Sequence, residues 1–246
     1  MKQSRMQRFD RNDGVETITS DLVARFFTGT GKSYRQVVHL GTLGLDFYWK
    51  RKIYSKITSH PSAILDLACG TGIVTFGLHR RFPKARLVGV DVTADYLDIA
   101  RRRAAEQKLS NIEFILADAQ TVQFNESFDC ITSSYIPKYV DAGRLLENIS
   151  PYLRAGGQMV LHDFAYPQNR VARAIWESYN VVLNALGRRL FPEWKAVFDY
   201  ELTALIRTSP WIDQFTAALE TYEYENIEVE YLSFGSAAVL SARKKS

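Results

Sequence analysis

Nine residues, Ile64-Leu65-Asp66-Leu67-Ala68-Cys69-Gly70-Thr71-Gly72, admit very few local structures. A short apolar run contains a carboxylate near its end, and the chain then turns through small residues into a helical pattern. This is the signature of a buried parallel strand, a tight loop and a helix N-terminus. The missing side chains at Gly70 and Gly72 let a ligand approach the backbone. The turn Ala68-Cys69-Gly70-Thr71-Gly72 is therefore a candidate wall for a nucleotide-like cofactor. A strand–turn–helix with no ligand is the alternative, since short glycine motifs also arise by chance.

Charge separates the cofactor candidates. A dinucleotide brings a pyrophosphate, which wants bare N–H groups and the positive end of a helix. Here Asp66 is expected to turn a carboxylate toward the ligand, and Thr75 stands where the third small residue of G-x-G-x-x-G belongs. S-adenosylmethionine carries an ammonium and a sulfonium, and a nearby carboxylate suits both. The loop favours S-adenosylmethionine.

A chain of 246 residues suits one α/β domain with a good core. No uninterrupted apolar run approaches the ~20 residues that span a bilayer, and the N-terminal MKQSRMQRFDRND has no apolar signal core. Cys69 and Cys130 both fall in or beside core strands, which argues for neither a disulfide nor a metal site and points to a cytoplasmic home. The net charge of +4 is spread over small clusters at Lys50-Arg51-Lys52, Arg101-Arg102-Arg103 and Arg243-Lys244-Lys245. A solvated face is the plain reading of each, and attraction to an anionic membrane surface the sharper one.

Along the chain, residues 1–20 are polar. A helical pattern starts at Asp21, with Leu22, Val23, Phe26 and Phe27 on its apolar face. Gly29-Thr30-Gly31-Lys32-Ser33 imitates a phosphate-binding P-loop, but Phe26 occupies the position of the required first glycine and no strand precedes it. Val37 to Ile57 reads as one or two amphipathic helices, and Ile73 to Arg81 as another. Arg86–Asp91 is a second buried strand. Asp91 follows Gly72 at close to the ~20-residue spacing of an acid that grips ribose hydroxyls, and a carboxylate accepts from both hydroxyls at once. A helix follows from Ala94 to about Gln107. Asn111 to Ala119 contains a third strand and its exit; Asp118 is placed to accept from an adenine amino group, with Val92 and Ala119 flanking the ring. Phe128–Ser134 is the fourth strand and Gln158–Leu161 the fifth, ending at His162-Asp163, with Gly156-Gly157 expected to close the helix between them. Val171, Ile175, Tyr179, Val182, Leu186 and Leu190 recur near the 3.6 period of an amphipathic helix over 171–190. The aromatic segment through Trp211 looks like a cap over the carboxyl edge of the sheet. Ile227–Phe234 and Ala237–Ala242 close the chain as a hairpin.

Together, the Asp66–Gly72 loop, Asp91, Asp118-Ala119, Gly156-Gly157 and the closing hairpin resemble a class I S-adenosylmethionine-dependent methyltransferase. The resemblance implies a Rossmann-like α/β fold: a seven-stranded sheet in the order 3-2-1-4-5-7-6 with its last strand antiparallel, and helices on both faces. The flanks are most similar to the ubiquinone/menaquinone biosynthesis C-methyltransferases. Phe26-Phe27, Lys32-Ser33-Tyr34, Leu43-Gly44 and Trp49-Lys50-Arg51 match that family's leading helices, and Asp163-Phe164-Ala165-Tyr166-Pro167 matches its Glu-Phe-Ser-Lys-Pro segment. This implies an N-terminal helical lid segment over 1–58 and a methyltransferase domain over 59–246 with a helical cap at 166–212. Carried over by position, Thr71, Asp91, Asp118 and Ala119 are the implied cofactor contacts, with Tyr34 and Ser134 as lesser ones.

The chain also departs from that family. Where Phe-Gly-Leu-Arg-Asn is usual, it has Tyr135-Ile136-Pro137-Lys138-Tyr139, so the Arg becomes Lys138. Lysine keeps the charge and loses the planar fork. Methylation of an aromatic carbon needs a neighbouring hydroxyl to lose its proton, so a base or cation is expected. The candidates are Asp163 or His162 as base, Lys138 as the cation beside the phenolate, and Tyr135 positioning the ring. The expected acceptor is a quinone ring or another small molecule or lipid, reached from the cytoplasm or at a membrane surface. A catalytically inactive, cofactor-binding partner subunit is a third reading. The [Asp/Asn/Ser]-Pro-Pro-[aromatic] motif and the Pro-Cys nucleophile of base-modifying enzymes are both missing, which disfavours nucleic acid. A homodimer stays open.

Overall fold

A computed structural model describes Val23, residues 26–58 and residues 60–246. The expected helix start at Asp21-Leu22 and the polar residues 1–20 lie outside the described residues; Phe26 and Phe27 are helical. Two helices follow, α1 (Tyr34–Gly41) and α2 (Leu45–Lys56), divided at Gly44, which adopts φ +77° as the α2 N-cap. Then come β1 (Ala63–Leu67), α3 (Ile73–Arg81), β2 (Arg86–Asp91), α4 (Ala94–Glu106), β3 (Ile112–Leu116), β4 (Phe128–Ser134), α5 (Ala142–Ile149) and β5 (Leu153–Phe164). The remainder is α6 (Arg170–Leu190), a π-helical turn (Val197–Glu201), α7 (Leu202–Thr208), α8 (Trp211–Thr221), β6 (Tyr224–Leu232) and β7 (Ala237–Lys244).

The strands form one seven-stranded sheet in the order β3-β2-β1-β4-β5-β7-β6, and β7 runs antiparallel to both its neighbours. Because strand side chains alternate between faces, each strand feeds two cores. Leu65, Leu67, Ile131, Met159 and Leu161 pack on one face with Leu145 and Ile149 of α5 and Trp211, Phe215 and Leu219 of α8. Ile64, Leu87, Cys130 and Val160 pack on the other with Trp49 and Ile53 of α2 and Val74 and Leu78 of α3. Burial on both faces explains the unbroken apolar runs of β1 and β2. The helix α2 thus belongs to the body of the sheet. Above the carboxyl edge a separate cluster joins Phe26 and Val37 to Tyr139, Trp194, Val197 and Phe198.

Two expectations change. Gly156-Gly157 does not close α5, which ends at Ile149 and runs into the short helical turn Ser150–Tyr152. The pair lies inside β5, at the register break that separates Phe128↔Leu153 from Cys130↔Gln158, and Gly156 takes φ +70° there. Trp211 opens α8 under the sheet, so the cap ends before it. The period over 171–190 does form a helix, α6, but its apolar stripe faces outward: Val171, Ile175, Val182, Leu186 and Leu190 are between 55 and 68% exposed. Its buried residues are Trp176, Asn180, Asn184 and Gly187. At Gly187 a Cβ would stand 2.5 Å from the Phe198 ring, so this face is chosen by close approach of the neighbouring turn.

Candidate active site

Two cavities open at the carboxyl edge of the sheet, where ligands of open α/β folds bind. The first, of about 660 Å³, is lined by Ala68, Gly70, Asp91, Val92, Asp118, Ala119 and Ser134, and by Thr28, Gly29, Tyr34 and Tyr96. Its floor is built by backbone. The β1 exit crosses to β2 through Cys69, whose N–H donates to the Val90 carbonyl at 3.0 Å. Gly70 then takes φ +56° and its N–H donates to Asp91 Oδ2 at 2.8 Å. Asp91 Oδ1 accepts from the Thr93 N–H at 2.8 Å. Burial pushes the Asp91 carboxyl up against these two N–H donors. A carboxylate has about four acceptor sites, so Asp91 keeps acceptor capacity toward the cavity after these bonds. Asp118 spends Oδ1 on the Gln120 N–H, also at 2.8 Å.

Four expected contacts do not line this cavity. Asp66 is 1% exposed, and its carboxylate accepts from the Thr75 hydroxyl at 2.6 Å and the Thr132 hydroxyl at 3.1 Å. Its burial pushes the pKa up to about 7, against those two hydroxyl bonds. It is inside the sheet, beneath the loop. Cys69, Thr71 and Gly72 are likewise loop-forming: Gly72 caps α3 at φ +78°, and a Cβ there would meet Phe76 at 2.6 Å.

The second cavity, of about 620 Å³, lies between the α1–α2 turn and α6. Its walls are chiefly apolar and aromatic, including Trp49, Phe164, Ile175, Trp176 and Phe198, with Lys138, Asn180, Asn184 and Thr203 among its polar members. Phe27, Tyr34, Tyr135 and Tyr139 line both cavities and so form their common wall. Tyr135 takes φ +76°, an uncommon conformation for a residue with a side chain. Its N–H donates to the His162 carbonyl at 2.8 Å, and its ring stacks on Phe164 with centroids 4.8 Å apart.

Of the four expected catalytic residues, Tyr135 and Lys138 line the second cavity, whereas His162 and Asp163 line neither and are 0% exposed. Asp163 holds Lys138: it accepts from Lys138 Nζ at 2.6 Å, from the Lys138 N–H at 3.0 Å and from the Phe164 N–H at 2.7 Å. Burial pulls the Lys138 ammonium down and the Asp163 carboxyl up, each against the pull of its partner. His162 is held well below its usual range by burial and by the Lys50 and Lys138 charges, and its Nδ1 pairs with Ser134 Oγ at 3.0 Å. Both side chains lie a layer below the cavity, so neither reaches an acceptor as a base in this structure.

A second acid–lysine pair escapes the one-dimensional pattern. Asp46 and Lys50, one turn apart on α2, are both buried and form an ion pair. The Tyr135 hydroxyl donates to Asp46 Oδ1 at 2.6 Å, and Lys50 Nζ sits 5.0 Å from the Tyr135 ring centroid. The i, i+4 spacing was visible, but such pairs are usually solvated. In the N-terminal arm, where Tyr34 was expected, Thr28 and Gly29 were missed. Thr28 and Gly29 line the first cavity, and the Thr30 and Tyr96 hydroxyls meet at 2.6 Å. The density of small residues at Thr28–Gly31, which let the chain lie flat, was the available signal.

Residues 15–244 match the ubiE/COQ5 methyltransferase family. The chain belongs to that family. Among its relatives, the demethylmenaquinone methyltransferase of Bacteroides fragilis is 25% identical over 239 residues, 95% of each chain. The ubiquinone/menaquinone biosynthesis C-methyltransferase UbiE of Shewanella oneidensis is 25% identical over 226 residues, 89% of each. Among solved structures, the plantazolicin methyltransferase BpumL has a TM-score of 0.58 at 15% identity, covering 95% of this chain and 97% of that one, a likeness of fold. The chain is an S-adenosylmethionine-dependent methyltransferase. The first cavity fits that cofactor in its own terms: a side-chain-free Gly70, a buried carboxylate with acceptor capacity left over, and an apolar slot at Val92 and Ala119.

Proposed function

We propose that this member of the ubiE/COQ5 methyltransferase family methylates a ring carbon of a lipid-tailed quinol. The observation that carries the reading is the second cavity: apolar, bounded by rings, and sharing with the first cavity the wall of Phe27, Tyr34, Tyr135 and Tyr139. The names of the relatives, which act on demethylmenaquinone or in ubiquinone and menaquinone biosynthesis, supply the chemical class.

In this reading Asp91 holds the ribose of the donor, Asp118 the adenine amino group, and Val92 and Ala119 the ring faces, with Gly70, Ala68, Tyr34 and Ser134 completing the pocket. When bound, S-adenosylmethionine supplies a methyl group already activated by a sulfonium. The protein then has to hold the acceptor carbon at a near-attack distance of ~3–3.5 Å. Lys138 supplies positive charge where the acceptor hydroxyl becomes a phenolate, in a water-poor site where such a charge counts most. Asp163 fixes Lys138 in place, and the Asp46–Tyr135–Lys50 cluster fixes the dividing ring. Residues 26–41 act with the α6–α7 cap as a lid. With no helix among the described residues long and apolar enough to cross a membrane, the protein meets a lipid-tailed acceptor as a peripheral protein.

The test is transfer of labelled methyl from S-adenosylmethionine to a demethylated quinol with a short prenyl tail. Label on the ring carbon is expected. Label on an oxygen, or only in a polar metabolite from an extract, overturns the proposal. Replacement of the family's forked Arg by an ion-paired Lys138 favours, as the second reading, a different lipid or small-molecule acceptor.

A further inference from the structure

The outward turn of α6 leaves an apolar surface around the mouth of the second cavity. Val171 and Ile175 line the cavity and are also 68 and 66% exposed, so the stripe on α6 is one lip of its mouth. The rest of the mouth carries Leu43, 74% exposed, in the α1–α2 turn, and Phe234, 92% exposed, in the β6–β7 turn. Phe47 and Tyr48 continue this surface along α2. Exposed apolar residues are ordinary when scattered, but a contiguous set around a cavity marks a surface that is covered in use.

We propose that this surface seats at the headgroup–acyl boundary of an anionic lipid bilayer, with the cavity mouth facing the membrane. The exposed charges on α2 and α6 are chiefly basic, and the nearby acids of β6, Glu228 and Glu230, are ion-paired with Lys56 and Lys52. Arg51 stands one turn after Phe47, and Arg170 and Arg189 bracket the α6 stripe, all three exposed. Between Phe26 and Thr58 the single acid is Asp46, which is buried against Lys50. On α6 the single acid is Glu177, which is bound to Arg207 at 2.6 Å. An apolar helix face flanked by arginines is the composition of an interfacial helix, and anionic headgroups complement it. A second copy of this chain fits less well. A two-fold contact sets the same patch against itself, which would bring arginine toward arginine and seal the mouth through which an acceptor passes. The inference rests on reading the second cavity as the acceptor site.

The test is co-sedimentation of the full chain with phosphatidylcholine vesicles, with and without phosphatidylglycerol, for the wild type and two surface variants. In the first variant, Val182→Ser, Leu186→Ser and Leu190→Ser are combined; none of these residues lines the second cavity. It is expected to bind vesicles at least about ten-fold more weakly, while its melting temperature and its turnover of a short-tailed quinol are unchanged. The second variant, Arg170→Glu with Arg189→Glu, is expected to lose the preference for anionic vesicles. Wild-type protein that ignores both vesicle types overturns the proposal, as does a triple variant that binds like wild type. So does a wild-type dimer at sedimentation equilibrium that the triple variant converts to monomer. Vesicle binding that responds to the variants in a protein transferring no methyl to any quinol supports the surface and refutes the acceptor reading alone.

Discussion

Asp91 accepts from Gly70 and Thr93 while lining the first cavity, so it both shapes that cavity and faces it. Asp91→Ala is expected to weaken S-adenosylmethionine binding by more than about ten-fold in calorimetry, since it removes a buried acceptor of charged character; unchanged affinity would refute the ribose role. Lys138 and Asp163 separate stability from chemistry. Lys138→Met leaves Asp163 buried without its partner and is expected to cost about 3–5 kcal/mol in urea unfolding. Adding Asp163→Asn removes the unpaired buried charge and keeps one acceptor oxygen for the two N–H groups that now use both carboxylate oxygens, so it should restore part of that loss. Turnover should stay depressed by about 10²-fold or more in both variants if the ammonium acts on the phenolate. Asp66 gives a pH signature. Its folded pKa of about 7 stands above the ordinary 3.8, raised by burial. The folded state therefore binds that proton more tightly than the unfolded chain. The resulting stabilisation is complete below pH 3.8 and is lost as the pH rises through 7. Asp66→Asn removes this dependence, so the variant should gain about 2 kcal/mol on wild type between pH 5 and 8 in chemical denaturation. A constant difference would show that Asp66 is ionised throughout.

At the scale of elements, α6 carries the clearest lesson. Its 3.6-residue apolar period predicted a helix and gave its length to within a residue. The apolar side of that period is nevertheless not the buried face. Asn184 donates to the Thr203 hydroxyl at 3.1 Å and Asn180 to the Trp176 carbonyl at 2.8 Å, so inward polar groups are satisfied by neighbours the sequence does not reveal. The orientation can be checked by stability alone. Trp176→Ala should cost about 3 kcal/mol or more, whereas Val182→Ser and Leu186→Ser should each stay within about 0.5 kcal/mol. Equal losses would place the stripe inside. The Gly156–Gly157 pair teaches the same point: a glycine pair between a helix and a strand suits a helix terminus. Only the pairing of β4 with β5 reveals that it accommodates a register break within the sheet.

For the molecule as a whole, two cores on the faces of the sheet carry the fold, and a separate aromatic cluster holds residues 26–41 and the segment around Trp194–Phe198 against the carboxyl edge. This division predicts different consequences for two tryptophans of equal size. Trp211 is 2% exposed in the sheet core and donates its indole N–H to the Phe164 carbonyl at 2.7 Å. Trp211→Ala should lower global stability by about 3–5 kcal/mol. Trp194 is 3% exposed in the aromatic cluster, with its indole N–H on Ser33 at 2.9 Å. Its replacement by alanine should loosen hydrogen-exchange protection over residues 26–41 and in the cap while leaving protection of β1 and β4 intact.

The sequence by itself determined the sheet, its strand-terminal acids and the glycine loop. Each of those depends on local periodicity or on a backbone angle that few residues adopt, and both are written in one dimension. It could also pick out Lys138 and Tyr135, because they follow a strand end. Tertiary structure alone decided depth. Asp66, His162 and Asp163 lie as near the sheet edge in sequence as Asp91 does, but they sit below the cavity floor, because side chains on alternating positions go to opposite layers and their partners come from distant strands and helices. The buried Asp46–Lys50–Tyr135 cluster and the outward stripe of α6 belong to the same class. Which face of an amphipathic segment is inside is fixed by what packs against it, and that is a property of the assembled fold.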